Sequence, residues 1–218
     1  MRARDNPFRT ECLLQVRYRL NGVTWAELLS RCERLGYRAA LVGAHGSGKT
    51  MLLENLEPRL IDRGFRTRFI RLDEEHRRFD SGFLEALFDE LTAHDILLFD
   101  GAEQIGPFAW HRFRWRSRSA RGLIITTHQP GRLPTLWECR STAELLAGIA
   151  AELLGVENEV TRDRAEELFQ EHRGNLRDAL RQWYDLLAEE SEVVANVAAA
   201  LSGSRCRNHN SRGRALAK

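Results

Sequence analysis

Apolar positions along the chain change period several times. Within the polar, arginine-rich stretch 1–22, Leu14-Gln15-Val16-Arg17-Tyr18-Arg19-Leu20 alternates as an edge strand or ordered arm would. Residues 24–34 place apolar groups at 25, 28, 29 and 32, with Thr24 positioned as an N-cap and Gly36 just past the end, which predicts a helix. Strand-like runs and helical stretches then take turns. The strand-like ones are Tyr37 to Val42, Phe65 to Leu72, Ile96-Leu97-Leu98-Phe99, Leu123 to Thr127 and Leu133 to Cys139; between them lie helical stretches at 49–62, 81–93 and 107–118. The runs at 96–99 and 123–127 read as buried, and strands alternating with helices build a parallel sheet through right-handed crossovers, with helices on both faces. After Arg140 only helical periods remain, at 142–154 and 162–188, the second interrupted at Gly174. From Ser202 the chain is polar, rich in Gly, Ser and Arg and without periodicity, the composition of a disordered tail.

One motif gives this α/β pattern a chemistry. Gly43-Ala44-His45-Gly46-Ser47-Gly48-Lys49-Thr50 is a complete GxxxxGKT between a predicted strand and a predicted helix, the context a phosphate-binding loop requires. Its glycines let backbone amides converge on a phosphate at a helix N-terminus, where the dipole also favours an anion. Lys49 brings a point charge to the β- and γ-phosphates, the Thr50 hydroxyl is a Mg²⁺ ligand, and Met51 continues the first turn of the helix. His45 reads as a surface residue of the loop. About 50 residues after Lys49, Ile96-Leu97-Leu98-Phe99-Asp100 is a hydrophobic strand ending in a carboxylate, the arrangement that meets the Mg²⁺. Asp100 is the predicted metal residue. Gly101 and Ala102 follow it before Glu103, the nearest carboxylate that can polarise a water at the γ-phosphate.

Composition narrows the nucleotide and the setting. Of the 33 basic residues only Lys49 and Lys218 are lysine, so the Asn/Thr-Lys-x-Asp element by which switch GTPases read guanine cannot be built. The net charge is +2, which leaves attraction to polyanions to local patches. Four cysteines without a CxxC pair and an opening with no signal-peptide core predict reduced thiols and a cytoplasmic protein. No apolar run reaches the roughly 18–20 residues of a membrane span.

Leu123-Ile124-Ile125-Thr126-Thr127-His128-Gln129-Pro130, followed by Leu133-Pro134-Thr135-Leu136, resembles the sensor-1 strand of AAA+ ATPases, particularly the replication-initiator and helicase-loader clade. In that likeness His128 takes the γ-phosphate-sensing position, with Thr127 as its rival. His172-Arg173-Gly174-Asn175-Leu176-Arg177-Asp178-Ala179-Leu180 is similar to the motif of AAA+ helical lids whose arginine, here Arg177, is sensor 2. Asn6-Pro7-Phe8 resembles the openings of transposition- and secretion-associated members. The resemblance spans about 38–188 and implies an N-terminal arm (1–22), a P-loop nucleotide-binding domain (23–140), a helical lid domain (141–190) and a basic tail (191–218). It also implies ATP and Mg²⁺ as cofactors and assembly into a homo-oligomer. Two features depart from the family: the acidic residue next to Asp100 is missing, and the stretch from Pro130 to Leu136 is too short for the helix that carries a trans-acting arginine.

Residues 108–121 pack five arginines and four aromatics into 14 positions. Such interleaving suits single-stranded nucleic acid, an acidic protein partner, an arginine aimed at a neighbour's ATP, or a helix that buries Trp110 and Phe113 and leaves its arginines in water. The expected function is an ATP-binding AAA+-like ATPase acting as a regulatory or loading switch, hydrolysis being coupled to lid movement. Glu103 would position water, and His128 with Arg177 would read the γ-phosphate. Two alternatives stand beside it: a P-loop kinase acting on a small metabolite with 108–121 as its lid, and a non-hydrolysing ATP-binding scaffold.

Overall fold

The computed structural model describes residues 6–8, 18, 20, 22–72, 79 and 82–189. Most of the predicted edge strand or arm at 14–20 and the tail beyond 189 lie outside them; Tyr18 and Leu20 are described, and both pack on the core.

The elements in chain order are α1 (Trp25–Arg34), β1 (Arg38–Val42), α2 (Lys49–Ile61), β2 (Arg66–Arg71), α3 (Phe83–Glu90), β3 (Asp95–Asp100), α4 (Pro107–Arg116), β4 (Gly122–Thr127), β5 (Thr135–Glu138), α5 (Ala143–Leu154) and α6 (Glu159–Glu171). A last helix, α7, covers 176–189 of the described residues. Short 3₁₀ turns at Ala102–Gln104 and Ser117–Ser119 flank α4.

The five strands form one parallel sheet in the order β2-β3-β4-β1-β5, so β4 is inserted between the strand that feeds the phosphate loop and the strand that ends in Asp100. Strand alternation sorts the side chains into two cores. Ile96, Leu98 and Ile124 face α1 and α2, which contribute Leu28, Cys32, Leu52, Leu56 and Leu60. On the other face Leu97, Phe99, Leu123 and Ile125 meet Phe88 of α3 and Trp110 and Phe113 of α4. Both faces are covered, which is why β3 and β4 read as unbroken apolar runs. Helices α5 to α7 form a third cluster around Leu146, Leu168, Leu180 and Trp183, and Phe8 stacks on Trp183 with ring centroids 5.2 Å apart.

Local signals account for most boundaries. Thr24 caps α1 through a reciprocal capping box with Glu27. Helix α6 begins at Glu159 rather than 162, because the Asn158 side chain accepts from the Thr161 amide. The predicted break at Gly174 is present: the glycine adopts φ 83°, separating α6 from α7. The helix expected over 107–118 stops at Arg116 and tightens into the 3₁₀ turn before β4.

Candidate nucleotide site

All five strands of a parallel sheet end on one edge, and the polar residues singled out in the sequence gather there. The loop after β1 is held open by glycine geometry. Gly46 and Gly48 adopt φ 73° and 83°, and a Cβ on Gly43 would stand 2.4 Å from the Cys139 carbonyl oxygen and 2.5 Å from Ser47 Oγ. Gly43 N donates to the Thr127 carbonyl at 3.1 Å, tying the loop to the end of β4. Helix α2 starts at Lys49 with no side chain capping its first amides, which leaves them to face the loop.

Lys49 is buried, and its Nζ donates to the carbonyls of Gly43 (2.8 Å) and Ala44 (2.7 Å). Burial lowers its pKa, partly offset by the carboxylates of Glu103 and Asp100. Ser47 Oγ is buried without a hydrogen-bond partner. The residues present suit a phosphate group: a helix start with no side-chain cap, an ammonium bonded to loop carbonyls, and a buried hydroxyl without a hydrogen-bond partner.

Asp100 is a hub. Its Oδ2 accepts from Thr50 Oγ1 at 2.9 Å and pairs with Arg71 Nε at 3.2 Å, while Oδ1 accepts from Thr126 Oγ1 at 2.7 Å. Arg71 also pairs with Glu54 at 2.7 Å. The Thr126 hydroxyl in turn accepts from the Gly101 amide at 2.8 Å. The hydroxyl–carboxylate pair of Thr50 and Asp100 is an oxygen donor set of the kind Mg²⁺ takes. Thr126 and Arg71 are neighbours of Asp100 that the sequence did not single out. The signal for Thr126 was present, since β4 ends in two threonines and only one can face the inserted strand's acidic neighbour.

The missing carboxylate beside Asp100 has a backbone cause. Gly101 adopts φ 84°, and a Cβ there would lie 2.0 Å from the Leu72 carbonyl oxygen, so no side chain is tolerated. The left-handed turn passes into the 3₁₀ segment, which delivers Glu103 instead. Glu103 Oε1 lies 3.1 Å from His128 Nε2, and its Oε2 is buried without a partner. Arg132, whose Nη2 donates to the Ile105 carbonyl at 2.7 Å, lies close enough for Glu103 to act on its charge. His128 also makes an edge contact with the ring of His45 at 6.0 Å. The rival Thr127 is buried, and its hydroxyl donates to the Gln129 carbonyl at 3.1 Å.

The C-terminal helices reach the same place. The Asn175 side chain sits against Gly46, where an added Cβ would be 1.8 Å from its Oδ1, and that oxygen caps α7 by accepting from Arg177 N at 3.1 Å. Arg177 is exposed and near enough to oppose the Lys49 charge. A cavity of about 400 Å³ lies beside β5, lined by Tyr18, Arg31, Leu136, Trp137, Arg140 and Leu145; of these, Tyr18 also approaches the position of a Gly48 Cβ within 3.2 Å.

Segment 108–121 is elsewhere. Its arginines at 114, 118 and 121 surround Arg38, the first residue of β1, at the opposite edge of the sheet. The arginines in its second half are thus placed away from the phosphate loop. The seven residues between β4 and β5 contain no helix, and Arg132 among them turns inward to Ile105.

Strand order, loop and acidic strand end together define a P-loop NTPase fold with an inserted strand. Two solved structures share it. One is a variant of RuvB from Thermotoga maritima (TM-score 0.54, 19% identity, covering 84% of this chain and 68% of that one). The other is domain III of the replication initiation protein DnaA from Thermotoga maritima (TM-score 0.55, 18% identity, covering 81% and 88%). At these identities the likeness is one of fold, and this chain shares the P-loop NTPase fold of both. No protein-family model and no curated protein matches the sequence. No described helix is long and apolar enough to cross a membrane.

Proposed function

We propose that the chain is an ATPase that binds Mg²⁺·ATP at the strand-end edge and serves as a nucleotide-dependent switch, with the helical unit as its lid. The observation that carries this reading is the convergence of Lys49, the Thr50–Asp100 pair, the Glu103–His128 pair and Asn175 around one glycine loop. Bound Mg²⁺ would supply charge neutralisation at the β- and γ-phosphate oxygens.

In this reading the amides of residues 43–51 hold the phosphates, and Lys49 exchanges its two loop carbonyls for phosphate oxygens. Thr50 and Asp100 would hold the metal through the oxygens that now pair with each other, with Arg71 beside them. Glu103 accepts a proton from the attacking water through its unpartnered Oε2. His128, proposed from sequence as a phosphate reader, acts here on Glu103, whose other oxygen it holds. Arg177 reaches the γ-phosphate from the lid, and Asn175 on Gly46 transmits loop movement to α7. The cavity beside Tyr18 has the volume and aromatic lining to take the base.

Titration of a fluorescent ATP analogue tests the site: Lys49→Ala should weaken binding at least about 100-fold, through loss of a charge-assisted contact. Unchanged affinity would remove the reading. Phosphate release from Mg²⁺·ATP then separates an ATPase from a scaffold, and a labelled metabolite product would instead identify a kinase. Sizing with and without ATP reports whether the switch works through self-assembly.

A further inference from the structure

The arginine-aromatic segment divides into two populations. Arg112 and Arg116 pair with Glu85 (3.3 Å) and Asp89 (3.0 Å) of α3. Arg114, Arg118 and Arg121 have no carboxylate partner among the described residues and crowd a fourth arginine, Arg38, which donates to the carbonyls of Ser117 (2.9 Å) and Ala120 (2.8 Å) and so fixes the turn that carries them. The Arg38 pKa is lowered by burial and then by these three like charges. The same edge shows the ordinary alternative: at the start of β2 and β3, Arg66 is bonded twice to the buried Asp95, at 2.9 and 2.8 Å. Four guanidinium groups collected without a counter-charge among the described residues repel one another, and an anionic ligand relieves that repulsion.

Two large aromatics accompany them. Trp115 is 63% exposed and Phe108 93%, while Trp110 and Phe113 of the same helix are buried in an aromatic cluster with Phe88 and Phe99. The buried pair anchors α4 to the sheet, and the exposed pair stands seven residues, about 10 Å, apart along it.

We infer that α4 with the turn after it, together with Arg38, forms a binding surface for single-stranded nucleic acid, in which Arg38, Arg114, Arg118 and Arg121 contact phosphates and Trp115 stacks on a base. Open aromatic faces beside guanidinium groups favour unpaired bases over an acidic peptide, whose carboxylates need the charges but not the rings. The surface lies at the sheet edge opposite the phosphate loop, so it stands apart from the nucleotide reading above.

Fluorescence anisotropy of a labelled oligothymidylate with the full chain tests it. Four phosphate contacts on a single strand give a slope of log affinity against log salt of about −2.8, roughly 50-fold weaker binding between about 50 and about 200 mM salt. The triple variant Arg114→Gln, Arg118→Gln, Arg121→Gln should flatten that slope by about 2, and replacement of the same three by lysine should keep it. Trp115→Ala should weaken binding about tenfold with the slope unchanged. Basic residues beyond 190 are common to every variant and cancel in these differences. Wild-type slope and affinity in the folded triple-glutamine variant would overturn the inference. So would binding of poly-glutamate but not of the oligonucleotide, or indifference of oligonucleotide binding to Trp115→Ala.

Discussion

The two edges of the sheet, about 15 Å apart along five residues of β1, handle charge in opposite ways. At the loop edge charged groups of both signs meet partners: Lys49 is held by carbonyls, Asp100 by two hydroxyls and Arg71, and Glu103 by His128 through one of its oxygens. At the other edge, between β1 and β4, four arginines stand together with no carboxylate partner among the described residues. An interlocked set can change partners, and a ligand that brings its own charges reorders it at little net cost. A crowded set of one sign cannot rearrange toward balance from within. On the readings proposed above, the first suits exchange and switching and the second capture of a polyanion.

Four measurements sharpen or break that contrast. The largest effect belongs to the loop edge: Glu103→Gln should keep ATP binding and lower phosphate release by about 10²–10⁴-fold. Equal turnover by the mutant would move the base elsewhere and leave the Glu103–His128 pair structural. Next, α4 should split by face. Phe113→Ala should cost about 3–5 kcal/mol in denaturant unfolding, since it empties the aromatic cluster, and Trp115→Ala within about 0.5 kcal/mol of zero. Similar losses for both would mean that Trp115 is a packing residue and would take the stacking surface with it. Third, Gly101→Ala should destabilise by about 3 kcal/mol, combining a left-handed backbone with a collision on Leu72. A well-folded alanine variant would show that Glu103 is not forced into place by that turn.

The smallest effect is a pH dependence at the compensated part of the lower edge. Burial works to raise the Asp95 pKa, but the Arg66 and Thr92 hydrogen bonds outweigh it and hold it at about 2. Because the folded value lies below the unfolded one near 3.8, the contribution is full above about pH 4 and is lost as pH falls toward 2. With an exposed arginine as partner it amounts to about 1 kcal/mol. Unfolding midpoints between pH 5 and pH 2 should show the drop in wild type and lose it in Asp95→Asn.

Much of the upper edge was legible because its signals are local. A phosphate loop needs glycines at set spacings, a lysine and a hydroxyl in one turn, all written within eight consecutive residues. Asp100 could be found because a doubly covered strand must be apolar until it emerges at the ligand edge. Glu103 was nameable as the nearest carboxylate, yet its pairing with His128 was not, since those residues are 25 apart and meet only because β4 lies beside β3. Arg71 was invisible for the same reason, and of the two threonines that end β4 only the sheet shows that Thr126 is the one bonded to Asp100.

The sequence by itself determined the periods that make strands and helices, the phosphate loop, the acid at the end of β3 and the break at Gly174, because each depends on neighbours within a turn or a strand. Only the tertiary structure decided which arginines are spare. Composition makes all 31 look alike. Packing of α4 on the sheet neutralises two against α3 and brings three others around Arg38, a residue about 80 positions away in the chain. Charge acts through space, and the chain's order holds no record of that distance.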